Sequence, residues 1–264
     1  MRYSKIERCS QAGVTLFELI AVIAILSIIL VIGSGSILSL TQSNRLVDSQ
    51  SNLMVNSQLL HLRITKQLKQ SLPNSFRITN NNRCLTFLPV VAQGFYLQNL
   101  PDQMNALPPT GNSAAISVSP YIIDSGSPLF MSVGSAASTE IYGSTSDSLV
   151  SIQSYTAGAI TLTADHRWLR NSTRQHFYLT GNANAFCLVN DELRYYSDIS
   201  PLASQVNLSG DYDLLSLSIQ PLGTTYRVTS SADSCRNCVT LSFNHIDVDY
   251  QLNQVITVAS RYAP

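Results

Sequence analysis

Hydrophobic and polar positions fall into two textures that meet at Pro73. From Leu19 to Ile32 every residue is apolar except Ser27. With the weaker stretch to Leu40, the run is long enough to span a bilayer as a helix rising about 1.5 Å per residue. Further on, Leu46, Leu53, Leu60, Ile64 and Leu68 recur at steps of seven and four, one face of an amphipathic helix, while Arg63, Lys66 and Lys69 fall off that stripe. Residues 14–72 contain no proline. Gly33 and Gly35 weaken or bend a helix at its middle, and Pro73 with Asn74 stops it. The pattern predicts one long helix, apolar all round over 14–40 and amphipathic over 41–72. Its second half is expected to pack on the globular domain that follows; a stalk or linker helix without a partner is the alternative.

After residue 75 the period changes. Short β-rich runs are separated by Gly, Pro, Asn and Ser: Cys84–Val91, Leu149–Tyr155, Ile160–Thr163, His176–Leu179, Phe186–Val189, Leu193–Tyr196, Leu214–Ile219, Val239–Phe243, Ile246–Leu252 and Val255–Ser260. Ile246, Val248, Tyr250 and Leu252 alternate strictly with Asp247, Asp249 and Gln251. Asn190-Asp191 between two apolar runs predicts a hairpin turn. Residues 101–148, rich in Pro, Gly, Ser and Ala, read as a long loop or an inserted excursion, and no repeat is evident. The body from residue 73 to 264 is thus expected to be β-rich, and the chain α+β.

Charge narrows the function. Charged residues are only 12% of the 264, with a formal net charge of zero, so nothing points to nucleic acid. Hydrophobic residues make up 45%, enough for a real core. Arg2, Lys5 and Arg8 precede the apolar run and the next charge after it is Arg45, an asymmetry that leaves the N-terminus in the cytoplasm and the body outside. A secretory leader places its small cleavage residues after the apolar run. Here Gly13 lies before it, so cleavage at Gly13 removes the basic leader and leaves the apolar helix on the mature chain. Glu18 is the only charge in residues 14–44. A carboxylate inside a membrane helix costs a few kcal/mol and marks function. Snorkelling is the alternative, and Glu is short for it.

The segment Gly13-Val14-Thr15-Leu16-Phe17-Glu18-Leu19-Ile20, after a basic leader and before an apolar run, closely resembles the class III leader of type IV pilins and type II secretion pseudopilins. The first mature residue of that family is usually Phe; Val14 departs from this mildly. The resemblance implies a leader over 1–13, a transmembrane and assembly helix over 14–40, and cleavage after Gly13 with methylation of Val14 by a prepilin peptidase. It also implies a pilin-like fold, the long helix packed on an antiparallel β-sheet. Partners would be other major and minor pilins, the peptidase and an inner-membrane assembly platform. The protein would sit in the inner membrane with its body in the periplasm, then enter the pilus or pseudopilus. Leu72-Pro73-Asn74-Ser75, Arg83-Cys84-Leu85-Thr86-Phe87-Leu88-Pro89, and the stretch from Phe177-Tyr178 to Cys187, Leu193, Tyr195 and Tyr196 are similar to the O-type minor subunits of mannose-sensitive haemagglutinin pili. In size and order the body is also similar to J-type minor pseudopilins. About 190 residues beyond Pro73 are bulky for a subunit repeated at every lattice point, which favours a minor subunit. A tip adhesin and a membrane-anchored enzyme are rivals from other classes, the latter without a catalytic constellation.

Of five cysteines, Cys9 lies in the leader; Cys84, Cys187, Cys235 and Cys238 remain, an even number in an exported chain. Four cysteines permit three connectivities; Cys84–Cys187 with Cys235–Cys238 is the favoured one. The CxxC of Cys235 and Cys238 also admits free thiols or a metal or redox role, although a zinc site wants a second CxxC or paired histidines and the four histidines are scattered. Asp211 with Asp213, and Asp247 with Asp249, are calcium candidates. Arg167, Arg170 and Arg174 among Trp168, Phe177 and Tyr178 read as a ligand surface or a solvated loop. No phosphate loop, nucleophile elbow or HExxH motif occurs. No metal or cofactor is expected.

Overall fold

The computed structural model describes residues 15–105, 107, 115–124, 126–143, 147–229, 238–246 and 251–262, with the side chains of 32–38 left out of the description. The chain divides into two units, residues 1–51 and 52–264. One helix, α1, runs from Leu16 to Lys69. Its backbone stays helical through Gly33 and Gly35. Glu18 lies in its first turn and Lys66 and Lys69 in its last, charges of the sign that complements the helix dipole at each end.

The helix ends for a backbone reason. A helical residue 73 would donate its N–H to the carbonyl of Lys69, and Pro73 has none. Lys69 O instead accepts from Arg261 N at 2.8 Å, Gln70 O from Val90 N at 2.9 Å, and Ser71 O from Ser260 Oγ at 2.6 Å. Leu72 N donates to Leu88 O at 2.7 Å. Asn74 then takes the left-handed conformation (φ 63°) that asparagine tolerates.

In the second unit the strands are β1 (Arg77–Thr79), β2 (Cys84–Phe87), β3 (Val90–Phe95), β4 (Ile116–Ser117), β5 (Phe130–Ser132), β6 (Leu149–Tyr155), β7 (Ala159–Leu162), β8 (His176–Thr180), β9 (Ala183–Val189), β10 (Glu192–Ile199), β11 (Asp213–Ser216), β12 (Ile219–Thr229), β13 (Cys238–Ile246) and β14 (Gln251–Ala259). They form three sheets, ordered β1-β2-β9-β10-β11, β12-β13-β14 and β3-β8-β5-β6-β7-β4. Every strand pair described within them is antiparallel. The architecture is α+β with a β-rich body.

Alternation divides the five-stranded sheet into two faces. Leu85, Phe87, Phe186, Leu188 and Leu193 meet Leu60, Ile64 and Leu68 of α1 in one core, which the three-stranded sheet completes with Val239, Leu241, Phe243, Ile256 and Val258. The opposite face carries Cys84, Ala185, Cys187 and Tyr196, packed with Val206 from the following loop. A second core, around Trp168, Phe177, Met131 and Ile160, belongs to the six-stranded sheet. Leu72, Leu88, Val90, Ile141, Tyr142 and Leu149 form a third cluster beside the helix end.

Several elements differ from the expected runs. Cys84–Val91 is two strands, broken at Leu88–Pro89, because Pro89 cannot donate to a ladder. Leu214–Ile219 is likewise divided, at Ser218 with φ 55°. Ile246 and Leu252 stand on opposite strands of the β13–β14 hairpin, with Ile246 facing Gln251; the alternation across them is not one strand. Residues 101–148 are no mere excursion: β5 lies between β8 and β6, and Ile116, Val118, Met131 and Val133 are core. β12 was hidden by Pro221 and Gly223, tolerated because β12 is an edge strand whose register shifts between Pro221 and Tyr226. Asn190 and Asp191, both at positive φ, turn β9 into β10 with Val189 facing Glu192.

If the helix stripe holds the body together, Ile64→Ala lowers the unfolding free energy by about 2–5 kcal/mol. Leu62→Ala, whose side chain is 64% exposed, changes it by less than about 0.5 kcal/mol. Urea titration of the detergent-solubilised full chain measures both, and equal losses would refute the packing assignment.

Candidate functional site

The site is built first from the start of α1. Gly13 and Val14 lie outside the described residues. Thr15 is the N-cap: its carbonyl accepts from Glu18 N at 3.0 Å and Leu19 N at 3.2 Å, and its Oγ1 accepts from Glu18 N at 3.3 Å. This is the backbone half of a capping box, Thr-x-x-Glu ahead of an apolar run. Thr15 belongs to the leader motif by its sequence, and the spacing to Glu18 also signals this capping role. The Glu18 side chain is exposed, and among the described residues no cation meets its carboxylate. Phe17, Ile20, Ile23, Leu26, Ile29 and Leu30 are exposed as well, spread around the helix. A helix apolar on every side is one that is buried in its working state. Among the described residues no helix is long and apolar enough to cross a membrane. The side chains of 32–38, within the apolar stretch, are outside the description.

Cys84 and Cys187 face each other across β2 and β9, and a disulfide joins them, closing a loop of sequence separation 103. Both are fully buried on the sheet face away from α1. Cys238, at the start of β13, is disulfide-bonded as well; Cys235 lies outside the described residues.

Among the described residues no group of three or more His, Cys, Asp or Glu is placed to hold a metal. Asp213 pairs with Arg63 at 3.0 Å, Asp211 is exposed, and Asp247 and Asp249 are outside the description.

The three arginines read as a possible ligand surface have three different surroundings. Arg167 is a clamp: its guanidinium donates to the carbonyls of Asp102, Asn105 and Leu107, each at 2.7 Å. Arg170 makes a bidentate pair with Glu140, at 2.7 and 2.9 Å, and also donates to Gly134 O at 2.9 Å. Gly134 has φ 62°, and a Cβ there would lie 2.5 Å from Arg170 O, so only glycine fits. Arg174 is exposed and lines a cleft of about 630 Å³. The cleft also carries His176, Tyr178, Arg261 and Tyr262, beside Pro73 and Asn74 at the helix end. Burial, then the Arg174 charge, pushes His176 below its ordinary value, favouring the neutral imidazole.

Burial raises the Glu140 carboxyl, but the Arg170 hydrogen bonds, the Ala136 and Ala137 N–H groups and the Arg170 charge outweigh it and hold the group below its ordinary 4.5. A depressed folded value contributes stability that is complete above the unfolded value and fades as pH falls through the folded one. With Arg170 39% exposed, Glu140→Gln is expected to cost roughly 1–2 kcal/mol at pH 7. The deficit against the parent protein should shrink as pH drops below ~4. Thermal melts at the two pH values read this, and a pH-independent deficit would show that the charge plays no part.

A family model described as the prokaryotic N-terminal methylation motif matches residues 8–34, about a tenth of the chain. No curated protein and no solved structure matches. Residues 8–34 thus carry the N-terminal methylation signal of type IV prepilins, which supports placing the chain in the type IV pilin and pseudopilin superfamily.

Proposed function

We propose that the chain is a minor subunit of a type IV pilus of the mannose-sensitive haemagglutinin type, acting in assembly or its initiation. The observation that carries this is the N-terminal constellation: a basic leader, Gly13, Thr15-Leu16, Glu18 and the apolar run, inside the methylation motif at 8–34. Prepilin peptidase cuts after Gly13 and methylates Val14. Residues 14–40 anchor the precursor in the inner membrane as a single pass, with 73–264 in the periplasm, and then bury the same apolar surface among other pilins in the filament. The role is structural, without catalysis. The minor assignment is supported by bulk: beyond the sheet that meets the helix, the body carries a six-stranded sheet with its own core. The body's similarity in size and order to J-type pseudopilins supports a second reading, a place in type II secretion; secretion or pilus genes beside this one separate the two.

Glu18 supplies the register. Apolar packing has no axial direction of its own, and a buried carboxylate needs a partner. The Val14 α-amino group of a neighbouring subunit, shifted along the axis, provides one. Charges about 4 Å apart attract by roughly 4 kcal/mol at an effective dielectric near 20, before desolvation is subtracted. The net gain is small, but only one axial offset satisfies both charges, as with a buried polar residue in a coiled coil.

Gly13→Val is expected to leave an uncut precursor in the membrane, read by blot and N-terminal sequencing; a mature chain that begins beyond residue 33 would overturn the whole proposal. Glu18→Ala should be cleaved normally and stay in the membrane, yet co-purify poorly with other pilins. Unimpaired incorporation, or a primary failure of cleavage, would refute the register role.

A further inference from the structure

The cleft beside the helix end has a wall chemistry that the assembly role does not use. Five chain segments converge on it: the turn at Pro73–Asn74, β3 at Gln93, the loop 134–136 after β5, the stretch 170–178 that leads into β8, and Arg261–Tyr262 after β14. They are tied together independently of any ligand. Asn74 Nδ2 donates to Ser135 O at 2.9 Å, Arg170 holds Gly134 and Glu140, Arg261 N donates to Lys69 O, and Tyr178 OH donates to Tyr262 O at 3.1 Å. The cleft is therefore a preformed concavity rather than a gap between loose loops.

Its charge is one-sided. Three guanidiniums line it, and among the described lining residues there is no carboxylate. Glu140 neutralises Arg170. Arg174 and Arg261 are exposed and, among the described residues, form no ion pair. In a chain whose net charge is zero and whose charged residues are 12%, two unneutralised guanidiniums on one concave wall focus a local positive field. Guanidinium groups match a planar carboxylate bidentately.

The rest of the lining recognises something other than a bare anion. Tyr178 and Tyr262 lie with ring centroids 5.9 Å apart, and His176 stacks over Tyr178 with an interplanar angle of 19°. These rings are broad apolar faces with polar edges. Asn171, Ser172, Thr173 and Gln93 add amide and hydroxyl groups around them. A ligand that complements all three features has a carboxylate, several hydroxyls and an apolar C–H face. About 630 Å³ lies within the range of small-molecule sites. We propose that this cleft binds a carboxylated pyranose, an acidic sugar unit whose carboxylate is held by Arg174 and Arg261 and whose ring packs on Tyr178 and Tyr262. An acidic peptide offers the charge but not the hydroxyl-rich ring that the amides and tyrosines suit.

The full chain in detergent is titrated calorimetrically with methyl glucuronide, methyl sialoside, neutral methyl glucoside, inorganic phosphate and tetraglutamate. The expected result is a Kd on the order of 1 mM for one or both acidic sugars. Each control should bind at least about tenfold more weakly, a difference of roughly 1.4 kcal/mol. A preference for the glucuronide identifies a polyuronate-type source, and one for the sialoside a sialylated glycan. The double variant Arg174→Gln, Arg261→Gln should weaken that binding at least about tenfold while its melting temperature and leader cleavage match the parent protein. Tyr178→Leu should weaken the sugars without creating affinity for phosphate. Equal binding of methyl glucoside, tighter binding of phosphate or tetraglutamate, binding undiminished in the double variant, or no heat with either acidic sugar would each overturn the proposal. None of these outcomes depends on filament assembly.

Discussion

A helix that ends inside a protein must find donors for its last carbonyls, and here Pro73 removes one that the chain would otherwise supply. The vacancy at Lys69 O is met by Arg261 N, from the far end of the sequence, and the next two carbonyls by Val90 N and the Ser260 hydroxyl. Two parts of the chain distant in sequence, at Val90 and at Ser260–Arg261, are thus fixed to the helix end. β3 is fixed at its first residue, β14 just beyond its last, and the third core cluster, with Leu72 and Leu88 touching, fills the space beneath. The positions of the five-stranded and six-stranded sheets follow from this, since β2 and β3 leave the same corner for different sheets.

Burial on both faces explains the composition of the strands as well. β9 sends Phe186 and Leu188 toward the helix and Ala185, Cys187 and Val189 the other way. Such a strand reads as a continuous apolar run, not an alternation. The disulfide occupies the face that the helix does not cover. There its covalent constraint on a loop of separation 103 acts mainly on the unfolded chain, in the entropic account. Packing on one face and a crosslink on the other hold the sheet by unrelated means.

What could be read from the sequence tracks the kind of signal each element leaves. Leu60, Ile64 and Leu68 repeat with helical period because one solid face meets a flat sheet. Asn190-Asp191 was legible because a two-residue hairpin needs positive φ at both positions. β4 and β5, of two and three residues, are too short to display any period. They are strands because β7, β6 and β8 pair with them, a tertiary cause that leaves no local mark. The strict alternation at 246–252 misled for the opposite reason: its ends, Ile246 and Leu252, belong to two different strands, β13 and β14. At the candidate sites, Glu18 is conspicuous as a lone charge, while Thr15 stands out as part of a motif but not as a cap until the residue three positions on is considered. The arginine group showed its composition but not its division of labour.

That division follows from scarcity. With charges at 12%, several of the described arginines are spent locally: Arg63 on Asp213, Arg194 on Glu192, Arg170 on Glu140, Arg167 on three carbonyls. The same accounting gives Glu18 its meaning. A helix start needs its free N–H groups satisfied, and a first-turn glutamate ordinarily helps by favouring the dipole or reaching back to the cap. Thr15 already receives the Glu18 N–H with both its carbonyl and its hydroxyl. The dipole term, at roughly 0.3–1 kcal/mol on an exposed surface, is smaller than the cost of a few kcal/mol for a carboxylate in an apolar helix that the proposed assembly buries. The dipole alone therefore does not offset that cost. In the proposed assembly a cation from a neighbouring subunit supplies the rest, and the apolar surroundings that make the carboxylate expensive also make that cation's position specific.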